Sequence, residues 1–229
     1  MRGFARHVLA AFAIAASATA VAAPPVWGIH AHEPGRIPNA AAAGYSAIRL
    51  WDTRTTWADL KPDRQSWQFY RIAAALQASE TAGLKVLWTL GSTPRWASAR
   101  PAEKCPYGFG CGAEPRNMED WRRYVFMVAT TFKGRVECYE PWNEVSFPHD
   151  GGFERAGAGG DAEGFFTGSV DSMVEIARIA YEEIKRADPA ACVTTPSFHN
   201  SGDMAAKLDR YLAAGGGRYA DAVDRKSVV

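Results

Sequence analysis

The sequence predicts an α/β fold, a (β/α)8 TIM barrel that is truncated after about five β/α units and the start of strand six. Short apolar runs alternate with segments of helical periodicity, which implies parallel strands joined by helical crossovers. Polar and aromatic residues gather just after the predicted strands, where a barrel carries its active site. An open nucleotide-binding sheet is disfavoured, because residues 30–35 after the first strand contain no glycine fingerprint.

Each predicted element has a local signal. The strands are apolar runs at 26–32, 47–51, 86–90, 136–142 and 192–196, and residues 219–223 resemble the start of a sixth. The helices have apolar residues at helical spacing over 67–82, 118–132, 170–187 and 204–214. Asn117 and Ser169 are N-cap residues for the second and third of these helices. A glycine-rich stretch at 151–164 predicts a loop, which is either a substrate-gating loop or a plain flexible insertion.

The two ends of the chain are predicted to lie outside the barrel domain, which we place at 23–223. Residues 1–22 combine a charged start, a short apolar run and an Ala-Val-Ala exit, the pattern of a signal peptide. We therefore expect a secreted or periplasmic protein with no membrane association after cleavage. Residues 224–229 fit no strand and can be encoded by a sequencing adapter, so we expect a non-native tail on a truncated gene model.

Charge and cysteine content limit the classes of binding partner and indicate which cysteines form disulfides. The net charge of +1 comes without a basic stripe, which argues against nucleic-acid binding. Export permits disulfides, and Cys105 and Cys111 flank a short turn-rich loop that favours a local bridge. Cys138 and Cys192 form either a second bridge or two buried thiols. The oligomeric state stays open.

Alternation along the strands brings polar side chains to one cavity. Because strand side chains alternate between faces, His30, Arg49 and Glu140 are expected to point into the barrel, with Glu144 beside them. Trp27 and Trp88 are expected in the core. A buried guanidinium needs a counter-ion, so Arg49 and Glu140 are expected to form an internal ion pair. This pair is either structural or orients a catalytic carboxylate.

A resemblance follows from the segment Trp142-Asn143-Glu144 at the end of the fourth predicted strand. The segment is similar to that of the clan A glycoside hydrolases. The resemblance implies that Glu144 is the general acid/base and that Asn143 contacts the sugar 2-hydroxyl. Cleaving a glycosidic bond needs two carboxyl groups, one to protonate the leaving oxygen and one to attack or activate water.

Further motifs resemble glycoside hydrolase family 39, in particular bacterial exopolysaccharide endoglycosidases, over about Val26 to Val223. They are Ile48–Asp52 with Trp57, Trp67 and Phe69, then Thr89–Ala97, and Phe166–Gly168. In the clan the nucleophile follows the seventh strand, which this chain does not reach. The resemblance therefore implies retaining hydrolysis of a poly- or oligosaccharide, with exopolysaccharides and xylan-type glycans as the candidates. The truncated chain itself is expected to lack activity. A non-catalytic carbohydrate-binding barrel is the alternative.

The remaining candidates surround the predicted acid/base. Trp51, Trp96 and Trp142 are candidates for stacking on sugar rings, with core packing as the equal alternative. His30 and His32 are candidates for binding sugar hydroxyls or are structural histidines. No cofactor is expected. No metal site is expected either, because two histidines two residues apart lack a convincing third ligand.

Overall fold

The computed structural model describes residues 26–147, 165–198 and 204–224. The predicted signal peptide, the glycine-rich stretch at 151–164 and residues 225–229 lie outside these described ranges.

Five parallel strands form one sheet, in which they lie side by side in chain order, and helices follow the strands in the chain. This architecture confirms the predicted truncated α/β barrel. The strands of this sheet, numbered in chain order, are Gly28–Ala31 (β1), Ala47–Leu50 (β2), Lys85–Thr89 (β3), Cys138–Glu140 (β6) and Cys192–Val193 (β7). Four of these strands are shorter than the apolar runs that predicted them, and β3 has the predicted length but begins one residue earlier. Strands β4 (Lys104–Cys105) and β5 (Gly108–Phe109) form a separate hairpin.

Six α-helices are described, and the four predicted ones are among them. Asn117 and Ser169 accept hydrogen bonds from Glu119 N and Ser172 N, as N-caps do. The helix predicted at 67–82 begins later, at Tyr70. Gln68 N instead donates to the carbonyl oxygen of Leu60, the last residue of the short helix Trp57–Leu60. No described helix is both long and apolar enough to cross a membrane. The bounds are Ile37–Ala42 (α1), Trp57–Leu60 (α2), Tyr70–Thr81 (α3), Met118–Thr131 (α4), Val170–Ala187 (α5) and Met204–Ala213 (α6).

The core lies between the sheet and the helices. Ile48, Leu50 and Trp88 are fully buried there, which leaves the opposite face of β2 to Arg49. Trp121 of α4 donates to Ile176 O of α5 and fastens these two helices together. The expectation that Trp27 packs in the core is wrong, since its side chain is 69% exposed. Trp27 precedes β1, which is an edge strand of the described sheet.

Two disulfides reinforce different parts of the chain. Cys105–Cys111 closes the antiparallel hairpin of β4 (Lys104–Cys105) and β5 (Gly108–Phe109), as the local bridge was predicted to do. Cys138–Cys192 joins the neighbouring strands β6 and β7 at directly paired positions. The structure thus selects a second bridge over two buried thiols for the latter pair.

The predicted start of a sixth strand lies beside β7 as a short parallel contact. A 3-10 turn at Gly216–Tyr219 precedes it. Asp221 N donates to Val193 O, and Thr195 N donates to Ala222 O. Residues 221–222 therefore lie next to β7, in the position that a sixth strand of the sheet would occupy.

Candidate active site

A buried ion pair lies where β2 and β6 end. Arg49 donates from Nε to Glu140 Oε2 (2.8 Å) and from Nη2 to Glu140 Oε1 (2.9 Å). Thr89 Oγ1 (2.6 Å) and Ser197 N (3.2 Å) also donate to this carboxylate, whose side chain is fully buried. Burial lowers the pKa of Arg49, but the charge and hydrogen bonds of Glu140 outweigh it and hold that pKa above its ordinary value. Arg49 therefore stays charged, and its hydrogen bonds to Glu140 join the ends of β2 and β6.

Arg49 also orients the side chain of Asn143. Its Nη2 donates to Asn143 Oδ1 at 2.7 Å. Arginine has only donors, so this contact assigns the amide oxygen to the Arg49 side. The amide NH2 of Asn143 is consequently turned away from Arg49, in a residue that is 1% exposed.

Glu144 leaves the end of β6 in an unusual backbone conformation. Its φ of +46° is left-handed, which costs a non-glycine residue energy and persists only where the surroundings enforce it. Ser197 Oγ accepts from Glu144 N (3.0 Å), and Phe165 N donates to Glu144 O (3.2 Å). The other two described non-glycine residues with positive φ, Arg54 and Ser92, follow β2 and β3. Backbone strain is therefore concentrated at the carboxyl edge of the sheet.

A second polar cluster forms the rim of this edge. His30 Nε2 and His32 Nδ1 lie 3.5 Å and 3.2 Å from Asp52 Oδ2, and the two imidazole rings stack with centroids 4.6 Å apart. Tyr107 OH donates to Asp52 Oδ1 and accepts from Trp51 Nε1 (2.8 Å). We call these five residues the rim cluster.

Tyr107 connects the rim cluster to the acid/base candidate. Its pKa is raised by burial first, then by its hydrogen bond to Asp52 and the Asp52 charge, and to a smaller extent by the Glu144 charge. The Glu144 charge also raises the pKa of Arg49. Both polar clusters are thus within electrostatic reach of Glu144, and Tyr107 stays a protonated donor at neutral pH.

The three tryptophan candidates occupy different environments. Trp142 has no exposed surface: a Cβ on Gly91 would meet its ring at 2.9 Å, and it packs on Phe166. Trp51 is 2% exposed and packs edge-on against Tyr107. Trp96 is half-buried, and its described contacts are made with other residues, namely Trp57, Lys61 and Arg64.

The structure therefore joins Arg49 and Asn143 in one network and His30, His32 and Trp51 in another, with Glu144 acting electrostatically on both. Trp142 supports the strand exit from within the core, and Trp96 lies apart from both networks. Sequence reasoning missed Tyr107 and the role of Asp52. The predicted loop between Cys105 and Cys111 was the available signal for Tyr107, but nothing local indicated where that loop would fold.

Sequence comparisons do not place the chain in a family. No family model matches it, and no curated protein is significantly similar to it.

Structural comparisons find glycoside hydrolases with the same fold. Xylanase XynB from Paenibacillus barcinonensis, complexed with a conduramine derivative, is similar with a TM-score of 0.61 at 14% identity, covering 89% of this chain and 60% of that one. A family 39 glycoside hydrolase from Bacteroides cellulosilyticus is similar with a TM-score of 0.57 at 17% identity. The match covers 86% of this chain and 37% of that one. Xylanase 10B from Thermotoga petrophila, in complex with xylobiose, is similar with a TM-score of 0.57 at 14% identity. The match covers 88% of this chain and 59% of that one. The chain thus spans about 60% of the two xylanases and 37% of the family 39 enzyme.

Proposed function

We propose that this chain is part of a retaining glycoside hydrolase of the family 39 type in which Glu144 is the general acid/base. The observation that carries the proposal is the strained placement of Glu144 at the exit of β6, beside the buried Arg49–Glu140 pair. The fold shared with xylanases and with a family 39 enzyme supports the reaction class.

An acid/base carboxyl group must stay in one position while its proton moves to the leaving oxygen and back. Two backbone contacts hold Glu144 in place, one to Ser197 and one to Phe165. Glu140 is unsuited to the task, because its side chain is fully buried and its carboxylate already accepts hydrogen bonds from Arg49, Thr89 and Ser197. The two glutamates of the segment Glu140–Glu144 accordingly have separate roles, one in support and one in chemistry.

Asn143 is proposed to donate from its amide NH2 to a sugar 2-hydroxyl. Arg49 already occupies the amide oxygen, so the side chain is held ready to donate and reorients little when sugar binds. A hydrogen bond to this hydroxyl that strengthens in the transition state contributes to the rate.

The second carboxylate is proposed to come from a barrel strand beyond those described here, about 5–5.5 Å from Glu144 as retention requires. The substrate is proposed to be a poly- or oligosaccharide, with xylan-type glycans and bacterial exopolysaccharides as the first candidates. His30 and His32 are proposed to meet the sugar at the rim. Trp51 is 2% exposed, so its proposed part is to position Tyr107 from behind. Two disulfides support export to an oxidising compartment.

The test compares this chain with a version extended by the downstream coding sequence, both assayed on xylo-oligosaccharides and bacterial exopolysaccharides. We expect no turnover from the present chain and turnover with retained anomeric configuration, followed by NMR, from the extended one. Glu144→Gln in the extended protein should lower kcat by about 10²–10⁴-fold. Glu137→Gln is the matched control, because Glu137 immediately precedes β6 at the opposite end and pairs with Lys85 on the surface.

Three outcomes would contradict the proposal. Turnover by the present chain that Glu144→Gln abolishes would disprove the missing nucleophile. Full activity of the extended Glu144→Gln protein would exclude the acid/base role. Glycan binding without hydrolysis by the extended protein would identify a carbohydrate-binding barrel.

A further inference from the structure

The rim cluster places three metal-binding side chains around one point. His30 lies in β1, His32 comes immediately after β1, and Asp52 follows β2, which pairs with β1 in parallel. One ligand atom from each residue lies within 4.8 Å of the other two. Imidazole nitrogens and a carboxylate oxygen are the usual nitrogen and oxygen ligands of zinc.

The distances suit tetrahedral coordination. With metal–ligand bonds of about 2.0–2.1 Å, two ligands at a tetrahedral centre lie about 3.3–3.4 Å apart. Asp52 Oδ2 is 3.2 Å from His32 Nδ1 and 3.5 Å from His30 Nε2. Two edges of the coordination polyhedron are therefore already close to their required lengths.

The carboxylate is also oriented from behind. Tyr107 OH donates to Oδ1 of Asp52, the oxygen that the histidines do not face, and Trp51 Nε1 holds the same hydroxyl at 2.8 Å. The Cys105–Cys111 disulfide closes the hairpin that carries Tyr107. Ligating carboxylates are commonly hydrogen-bonded in this way, and the bond leaves Oδ2 directed at the histidine nitrogens.

We propose that His30, His32 and Asp52 bind a divalent transition metal of the zinc class, with water in the fourth position. Two nitrogen ligands disfavour calcium and magnesium, which prefer oxygen donors. The side chain of His32 is 71% exposed, so a metal ion and its water reach the site from solvent. Asp52 is the third ligand that the sequence pattern alone did not supply. The metal site does not depend on the acid/base role of Glu144.

The experiment titrates the full chain, prepared without a polyhistidine tag and freed of metal by chelation, with ZnCl2 by calorimetry and with CoCl2 by visible absorption. We expect one equivalent of Zn²⁺ to bind and Co²⁺ to give the intense bands of a tetrahedral site. His32→Ala and Asp52→Asn should each weaken Zn²⁺ binding at least tenfold, and Tyr107→Phe by about tenfold through loss of the oriented carboxylate. Glu33→Gln is the matched control, since Glu33 pairs with Arg36 beside the site and should leave binding unchanged.

Far-UV circular dichroism of each variant checks that it is folded, and His32→Ala removes a mostly exposed side chain. The proposal is overturned if the wild-type chain does not bind Zn²⁺. It is equally overturned if folded His32→Ala and Asp52→Asn bind Zn²⁺ as tightly as the wild type, because the ion is then held elsewhere. Octahedral Co²⁺ spectra in the wild type would also exclude the proposed geometry.

Discussion

The two polar clusters at the carboxyl edge of the sheet differ in burial and in the origin of their residues. The Arg49–Glu140 pair is built on strands, is largely buried and has hydrogen bonds from Thr89 and Ser197. The rim cluster combines strand ends with a hairpin that lies far along the chain. All of its side chains except the buried Trp51 are partly exposed. The first cluster is suited to fixing the strand ends, whereas the second can contact solvent, sugar or metal without affecting the core.

The sharpest test of this difference is Glu140→Gln. It leaves the Arg49 guanidinium buried without its counter-ion, so we expect the free energy of unfolding to fall by about 3–5 kcal/mol. Urea denaturation followed by fluorescence measures the change. The same substitution at exposed Glu137 should cost no more than about 1 kcal/mol. Equal losses from the two variants would show that the Arg49–Glu140 pair does not hold the strand ends.

The two disulfides extend the comparison. Replacing Cys138 and Cys192 by alanine opens a loop with a sequence separation of 54 and should cost about 4 kcal/mol of unfolding free energy. Replacing Cys105 and Cys111 opens a separation of only 6 and should cost about 2 kcal/mol, because a short loop restricts the unfolded chain less. Thermal and urea unfolding of both double variants gives the order, and a reversed order would assign the greater structural role to the hairpin.

At the rim, Asp52→Asn should change the unfolding free energy of the metal-free protein by no more than about 1 kcal/mol. Its side chain is 26% exposed, and solvent screens its interactions with the two histidines. Urea denaturation in chelator measures this directly. A loss as large as that from Glu140→Gln would mean that the two clusters do not differ in their structural role.

The smallest expected effect is a pH dependence from Tyr107. Its pKa is raised in the folded state, so the unfolded chain releases this proton at lower pH than the folded protein does. The stabilisation is present below the ordinary tyrosine pKa of about 10 and declines as pH rises above it. Unfolding free energies measured across this range should fall less steeply for Tyr107→Phe than for the wild type. Identical slopes would show that the folded protein does not perturb Tyr107.

Much of the strand-exit network could be predicted from sequence, and little of the rim cluster could. The inward direction of Arg49 and Glu140 follows from alternation on two strands, and the need for a counter-ion then pairs them. Tyr107 lies 55 residues from Asp52 in the chain, inside an irregular segment with no periodicity to extrapolate. The tryptophan candidates show the same limit, because an aromatic residue after a strand serves equally well as core or as cleft wall. Burial of Trp142 against Gly91 depends on how the neighbouring segments approach.

The sequence by itself determined the order of strands and helices, the inward-facing residues of β2 and β6, and the local pairing of Cys105 with Cys111. These features follow from backbone periodicity and short separations, which act wherever the chain is placed. Only the tertiary structure decided that Asp52 meets His30 and His32, that the hairpin delivers Tyr107 to them, and that Glu144 lies near both clusters. Those contacts depend on the paths of loops, and a loop path is set by the packing of the elements that it joins rather than by its own residues.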